Sequence, residues 1–130
     1  MISPKRFFKS LKHALRGLAD LFWAEQNFRI QVLAGVVVVA LAVVLELQTW
    51  ERILLLLLTS FVLILEILNS IIERVADAVQ PRLSPMVREV KDMMAGAVLI
   101  CAVVSAIVGG VILYAPIRDI VCAILMLCKL

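Results

Sequence analysis

Histidine is nearly absent from this chain of 130 residues: His13 is the only one, and there are three cysteines, four prolines and five glycines. With one histidine, no Ser-His-Asp triad can be assembled, and His13 itself, on a run rich in lysine and arginine, reads as a solvated base. Cys101, Cys122 and Cys128 lack the spacing of metal ligands, and an odd count in apolar surroundings reads as ordinary packing. No Gly-x-x-x-x-Gly-Lys loop and no glycine-rich dinucleotide fingerprint occurs, so a nucleotide would need a different kind of site. Internal repeats and low-complexity tracts are also lacking, beyond a richness in leucine and valine. Charged residues make up only 18% of the chain.

What the chain has instead is apolar length. It is 64% hydrophobic, with a mean hydropathy of +1.09, far above soluble-domain usage. Such a chain is an integral membrane protein of one domain, all-α, with no soluble domain left once its apolar runs are removed. Spanning about 30 Å of hydrocarbon takes about 20 residues in a helix, and three stretches meet that length. The pattern predicts membrane helices over 28–47, 53–79 and 86–114, the second and third with cytoplasmic extensions. The apolar segment from Ile120 to Cys128 is too short to span, so the tail 115–130 is expected to be an interfacial helix or a loosely packed end.

Before the first span, Phe7, Phe8, Leu11, Leu15, Leu18, Leu21 and Phe22 recur at helical spacing, backed by Lys5, Arg6, Lys9, Lys12, His13 and Arg16. This pattern predicts an amphipathic helix over about 5–24, lying on the membrane surface against anionic headgroups, with Pro4 in its first turn. A cleaved signal peptide is not expected, because the charged region is too long and no small-residue cleavage pattern follows. Lysine and arginine gather before the first span and between the second and third, while the connection from Glu46 to Arg52 carries one basic residue. The N-terminus and the second connection are therefore expected on the cytoplasmic side.

One feature of the second span does not fit a simple anchor. Glu66, Asn69, Glu73 and Asp77 follow a leucine-rich run at spacings of three, four and four, so they share one helical face. Ionisable groups at a membrane edge are costly and function is their default reading. With the expected orientation, the stripe joins Glu25, Lys91 and Asp92 at the cytoplasmic face, where ATP is available. Such oxygens suit a metal ion and a phosphate. Each residue also has a plainer reading: Glu66 and Asn69 bonding neighbouring helices, Glu25 paired with Arg29, Lys91 snorkelling to headgroups, and Asp77, Lys9 and Arg6 solvated or lipid-facing.

Two further patterns bear on architecture. Gln80-Pro81-Arg82-Leu83-Ser84-Pro85 breaks the second helix, and Ser84 before Pro85 suits the start of a new one. Ser105, Ala106, Gly109 and Gly110 form two small-x-x-x-small pairs that let helices approach closely, within a subunit or between subunits. Three helices offer little interior for carboxylates, which favours self-association.

The run Glu66-Ile67-Leu68-Asn69-Ser70-Ile71-Ile72-Glu73, followed by Asp77, resembles the signature of prokaryotic diacylglycerol kinases and the related undecaprenol kinases. The resemblance extends through Arg6, Lys9, Gly17, Glu25 and Phe28 before it, and through Lys91-Asp92 and Gly96-Ala97-Val98-Leu99 after it. It covers about Arg6 to Tyr114. It implies a bacterial inner-membrane homotrimer with active sites shared between subunits, no nucleic-acid partner, and Mg²⁺-dependent transfer of phosphate from ATP to the hydroxyl of a membrane lipid. On that resemblance Glu66 is the general base and Asn69 orients the site, while Glu25 and Glu73 bind the metal. Lys91 pairs with phosphate, and Asp92, Asp77, Arg6 and Lys9 belong to the nucleotide side.

Ile71 stands where the family has a small residue and Ala76 where it has a β-branched one; both are packing positions. Asn27-Phe28 and Ala95-Gly96-Ala97 look more like the undecaprenol-using branch, whereas Met93 also occurs in the diacylglycerol branch, so the acceptor stays open between the two. Two other classes remain beside the lipid kinase: a small oligomeric transporter using Glu66 for protons or cations, and a structural subunit of a larger complex.

Overall fold

A computed structural model describes residues 3–79 and 85–127. They form four helices: α1 (Pro4–Ala24), α2 (Gln26–Val44), α3 (Thr49–Val79) and α4 (Pro85–Leu127). The last three are long and apolar enough to cross a membrane. The expected break at Gln80–Pro85 and the proposed cap at Ser84 lie outside the described residues, as do Cys128 and Lys129, though α4 does begin at Pro85.

Local chemistry explains the helix ends. Pro4 occupies the first turn of α1, where a missing N–H costs nothing. Between α1 and α2 a single residue, Glu25, leaves the helical conformation, with φ −107° and ψ 118°, closing one helix and opening the next. The α2–α3 turn is short, and the Gln48 backbone N–H donates to Glu51 Oε2 at 2.7 Å while Trp50 Nε1 donates to Gln48 Oε1 at 2.7 Å. The Glu51 contact is the reaching-back half of a capping box, so α3 starts at Thr49, four residues ahead of the apolar run from Ile53.

α3 is the central helix, packed on α2 along one side and on α4 along another, while α1 meets α2. The buried apolar cluster joins Ala42 of α2, Leu45 and Leu47 of the connection after it, Leu55 of α3, and Ile112 and Leu113 of α4. It therefore sits at the end of the bundle where α2 turns into α3. At 1.5 Å per residue, about 16 Å of helix separates Leu55 from Glu66, so the polar stripe occupies the other end. Midway, α2 and α3 come close: a Cβ on Gly35 would stand 2.6 Å from Thr59 Cγ2. Glycine at this position is what permits the approach.

The third span does not stop at Tyr114 as its pattern predicts. α4 continues through Pro116 to Leu127, 43 residues in all. An internal proline forfeits one backbone hydrogen bond and tends to kink a helix without having to end it. Beyond it the helix ladder resumes, and the exposed neighbours Arg118 and Asp119 pair through Nε at 2.9 Å and through Nη2 at 2.7 Å.

Candidate active site

The stripe on α3 is graded in burial along the helix. Glu66 is 4% exposed, Asn69 and Ser70 are buried, Glu73 is half-buried and Asp77 is exposed. Helical spacing places these groups on one face, and packing of α2 and α4 against α3 covers its inner end. The chemistry thus runs from a sheltered carboxylate to an exposed one along roughly three turns of helix.

Each group has a partner that ties α3 to another element or to itself. Gln31 Nε2, on α2, donates to Glu66 Oε2 at 2.9 Å. Asn69 Nδ2 donates to Glu73 Oε1 at 3.2 Å, one turn along α3. The Asn69 Oδ1 atom is buried and has no partner among the described residues. Lys91 Nζ of α4 donates to Asp77 Oδ1 at 2.5 Å. Glu25, at the α1–α2 elbow, lies 3.7 Å from Arg74 Nη2. Glu25 caps α2, its carbonyl accepting the Arg29 N–H at 3.3 Å, while its carboxylate turns to Arg74 of α3 and not to the Arg29 side chain.

Sequence-predicted site residues are therefore brought together in part. Glu66, Asn69, Glu73, Asp77 and Lys91 form a continuous polar edge of α3 and α4, and Glu25 reaches the turn that carries Glu73. Asp92 is exposed and makes no hydrogen bond or ion pair with a described residue. Arg6 and Lys9 are exposed on α1, away from these contacts. Two participants escaped the sequence reading. Gln31 is a single amide at the edge of an apolar run whose uncharged centre begins one residue later, and Arg74 was counted only for membrane orientation.

Among the described residues no three His, Cys, Asp or Glu side chains gather as a closed metal site. Magnesium does not need one: it keeps several waters and is commonly held by one or two carboxylates together with substrate phosphates. Glu73 has one oxygen engaged by Asn69 and the other available, Glu25 is held only by a loose, part-exposed ion pair, and the orphaned Asn69 Oδ1 adds a hard oxygen alongside. These are oxygens of the kind Mg²⁺ takes.

Comparison with known proteins shows the family. The prokaryotic diacylglycerol kinase family matches residues 12–113. An undecaprenol kinase of Bacillus subtilis is 36% identical over 104 residues, 80% of this chain and 85% of that protein. A diacylglycerol kinase of Synechocystis is 36% identical over 112 residues, 85% of this chain but only 64% of the relative's length. The diacylglycerol kinase of Escherichia coli K12 is 32% identical over 109 residues, 84% of this chain and 89% of that protein. The chain belongs to the prokaryotic diacylglycerol kinase family. It is accordingly a membrane lipid kinase.

Proposed function

We propose that this protein transfers the γ-phosphate of ATP to the hydroxyl of a membrane lipid, diacylglycerol or undecaprenol, at the cytoplasmic face of a bacterial inner membrane. The observation that carries this reading is the buried Glu66 carboxylate at the head of a polar edge that ends in Lys91.

Glu66 is the general base. It takes the proton of the lipid hydroxyl as that oxygen forms a bond to the γ-phosphorus; the bond between the γ-phosphorus and its bridging oxygen breaks, and ADP leaves with the electron pair. Phosphoryl transfer asks mainly for positioning and for neutralisation of phosphate charge. Glu25 and Glu73 would hold the metal, with Asn69 orienting the Glu73 carboxylate. Bound Mg²⁺ would supply positive charge against the charge that develops on the ATP phosphates. Lys91 supplies a cation to phosphate, and Asp77 holds that cation in place before the nucleotide arrives. Asp92, Arg6 and Lys9 complete the nucleotide side. α1 lies on the membrane surface, which accounts for the exposure of Phe7, Phe8, Leu11, Leu15 and Leu18. Homotrimer assembly, with sites shared between subunits, gives the exposed apolar faces of α2, α3 and α4 helical neighbours as well as lipid.

Ion-coupled transport through Glu66 is not favoured, since the relatives are kinases and transport offers no reason for Glu25, Glu73 and Lys91 to meet Glu66 along one edge. The deciding experiment presents diacylglycerol and undecaprenol separately in mixed micelles, with labelled Mg-ATP and purified protein. Labelled lipid is the expected product, and the ratio of the two kcat/KM values names the acceptor. Glu66→Gln is expected to abolish labelling while leaving assembly intact; wild-type turnover in that variant would remove the base assignment.

A further inference from the structure

Gln31 is the residue that faces Glu66 from α2, and nothing in its own helix explains it. From Val32 onward α2 is uninterruptedly apolar, and an amide at the head of that run, turned toward α3, must find a partner or incur a desolvation cost. The close approach of α2 and α3 supplies the partner. Gly35 lies one turn from Gln31 on the same face of α2, and Thr59, Val62 and Glu66 follow at spacings of three and four on α3. Contact at Gly35 and Thr59 sets the helix separation, and at that separation Gln31 Nε2 reaches Glu66 Oε2 at 2.9 Å.

The other end of the same amide is equally informative. Gln31 Oε1 is buried without a partner among the described residues. Gln31 caps the Glu66 end of a cleft of about 360 Å³ between α2, α3 and α4, whose remaining lining is almost wholly apolar. An unpaired carbonyl oxygen beside a buried carboxylate is a standing cost unless the site uses it.

We infer that Gln31 is a positioning residue for Glu66, one that serves both protonation states of the base; this rests on the base assignment made above. While Glu66 is ionised, the Gln31 N–H donates to Oε2 and leaves Oε1 of the carboxylate to accept the hydroxyl proton of the lipid. Once that proton has been taken, the carboxyl group carries an O–H that needs an acceptor. That proton stands on Glu66 Oε1, so Oε2 keeps the Gln31 N–H as a carbonyl oxygen, and the unpaired Gln31 Oε1, adjacent to that N–H, is the acceptor offered to the new O–H. An amide is suited to this because it carries a donor and an acceptor at neighbouring positions and no charge. A carboxylate at position 31 would repel ionised Glu66, and an aliphatic side chain would leave it buried without this donor.

The test uses the full chain, purified in micelles, with Mg-ATP and whichever of the two lipids it labels. Loss of a hydrogen bond to a charged group predicts that Gln31→Met lowers kcat about tenfold to a hundredfold, with KM for Mg-ATP and for lipid changed less than about twofold. Gln31→His, which keeps an N–H donor, is expected to recover most of the lost kcat. A purely structural role would lower the amount of folded protein while leaving kcat per folded site and its recovery by histidine unmoved. Should Gln31→Met fail to fold, Gln31→Glu, which matches the native side chain in size, carries the test and is expected to show a comparable loss of kcat. Wild-type kcat in the folded Gln31 variant, with Glu66→Gln inactive, overturns the inference alone. Wild-type kcat in Glu66→Gln overturns the base assignment and this inference with it.

Discussion

Lys91 of α4 bonds Asp77 of α3 through Nζ to Oδ1 at 2.5 Å, closing the two long helices on each other at their polar ends. The Lys91 side chain is 23% exposed and that of Asp77 is 65% exposed. The two partners are therefore unequal: the lysine is sheltered and aimed, whereas the aspartate stands mostly in solvent, where an ion pair contributes about 0 to 1 kcal/mol.

That inequality separates their mutational effects. Lys91→Met removes a cation from phosphate and is expected to lower kcat/KM for Mg-ATP by about a hundredfold or more. Asp77→Asn only releases the lysine and should cost less than about tenfold in the same assay. Equal losses in steady-state kinetics would make Asp77 a direct participant and not a holder of Lys91.

Metal dependence tests the carboxylates at the α1–α2 elbow and on α3. Glu25→Gln and Glu73→Gln are each expected to raise the Mg²⁺ concentration for half-maximal activity about tenfold or more, at fixed ATP. Asn69→Leu should act in the same direction through Glu73, whose Oε1 it holds at 3.2 Å. A Mg²⁺ titration that coincides with wild type in the two glutamate variants would dismiss them as metal ligands.

Packing at the helix crossing is a separate matter from chemistry. Gly35→Ala places a Cβ 2.6 Å from Thr59 Cγ2 and is expected to destabilise the protein by about 1 to 3 kcal/mol, read from unfolding in detergent. Thr59→Ser removes the offending methyl group, so the double variant should recover most of that loss. Because Gln31 is one turn away, Gly35→Ala should also lower turnover, and the double variant should restore it.

The extension of α4 beyond Tyr114 is expected to be dispensable. Residues 117–126 are all exposed, so none joins the buried apolar cluster of the bundle, and the family match ends at residue 113. A chain truncated after Ala115 should keep kcat per folded site within about twofold of the intact protein. A larger loss would assign the extension a part in the site or in assembly.

Much of this arrangement is local, and for that reason legible. The chain alone determined that three stretches are long enough to span a membrane, that α1 is amphipathic, and that Glu66, Asn69, Glu73 and Asp77 share a face; each depends on helical periodicity and apolar length, which are properties of consecutive residues. Tertiary structure decided which groups meet. Gln31 finds Glu66 thirty-five residues away because Gly35 lets α2 close on α3. The Glu25 carboxylate pairs with Arg74 and not with Arg29 because the packed bundle brings α3 to the elbow between α1 and α2. Pro116 looked like a helix end, yet α4 passes through it, since one forfeited hydrogen bond is a small term beside those on either side. Local patterns report the face of a helix; only the packing of one helix on another decides what that face touches.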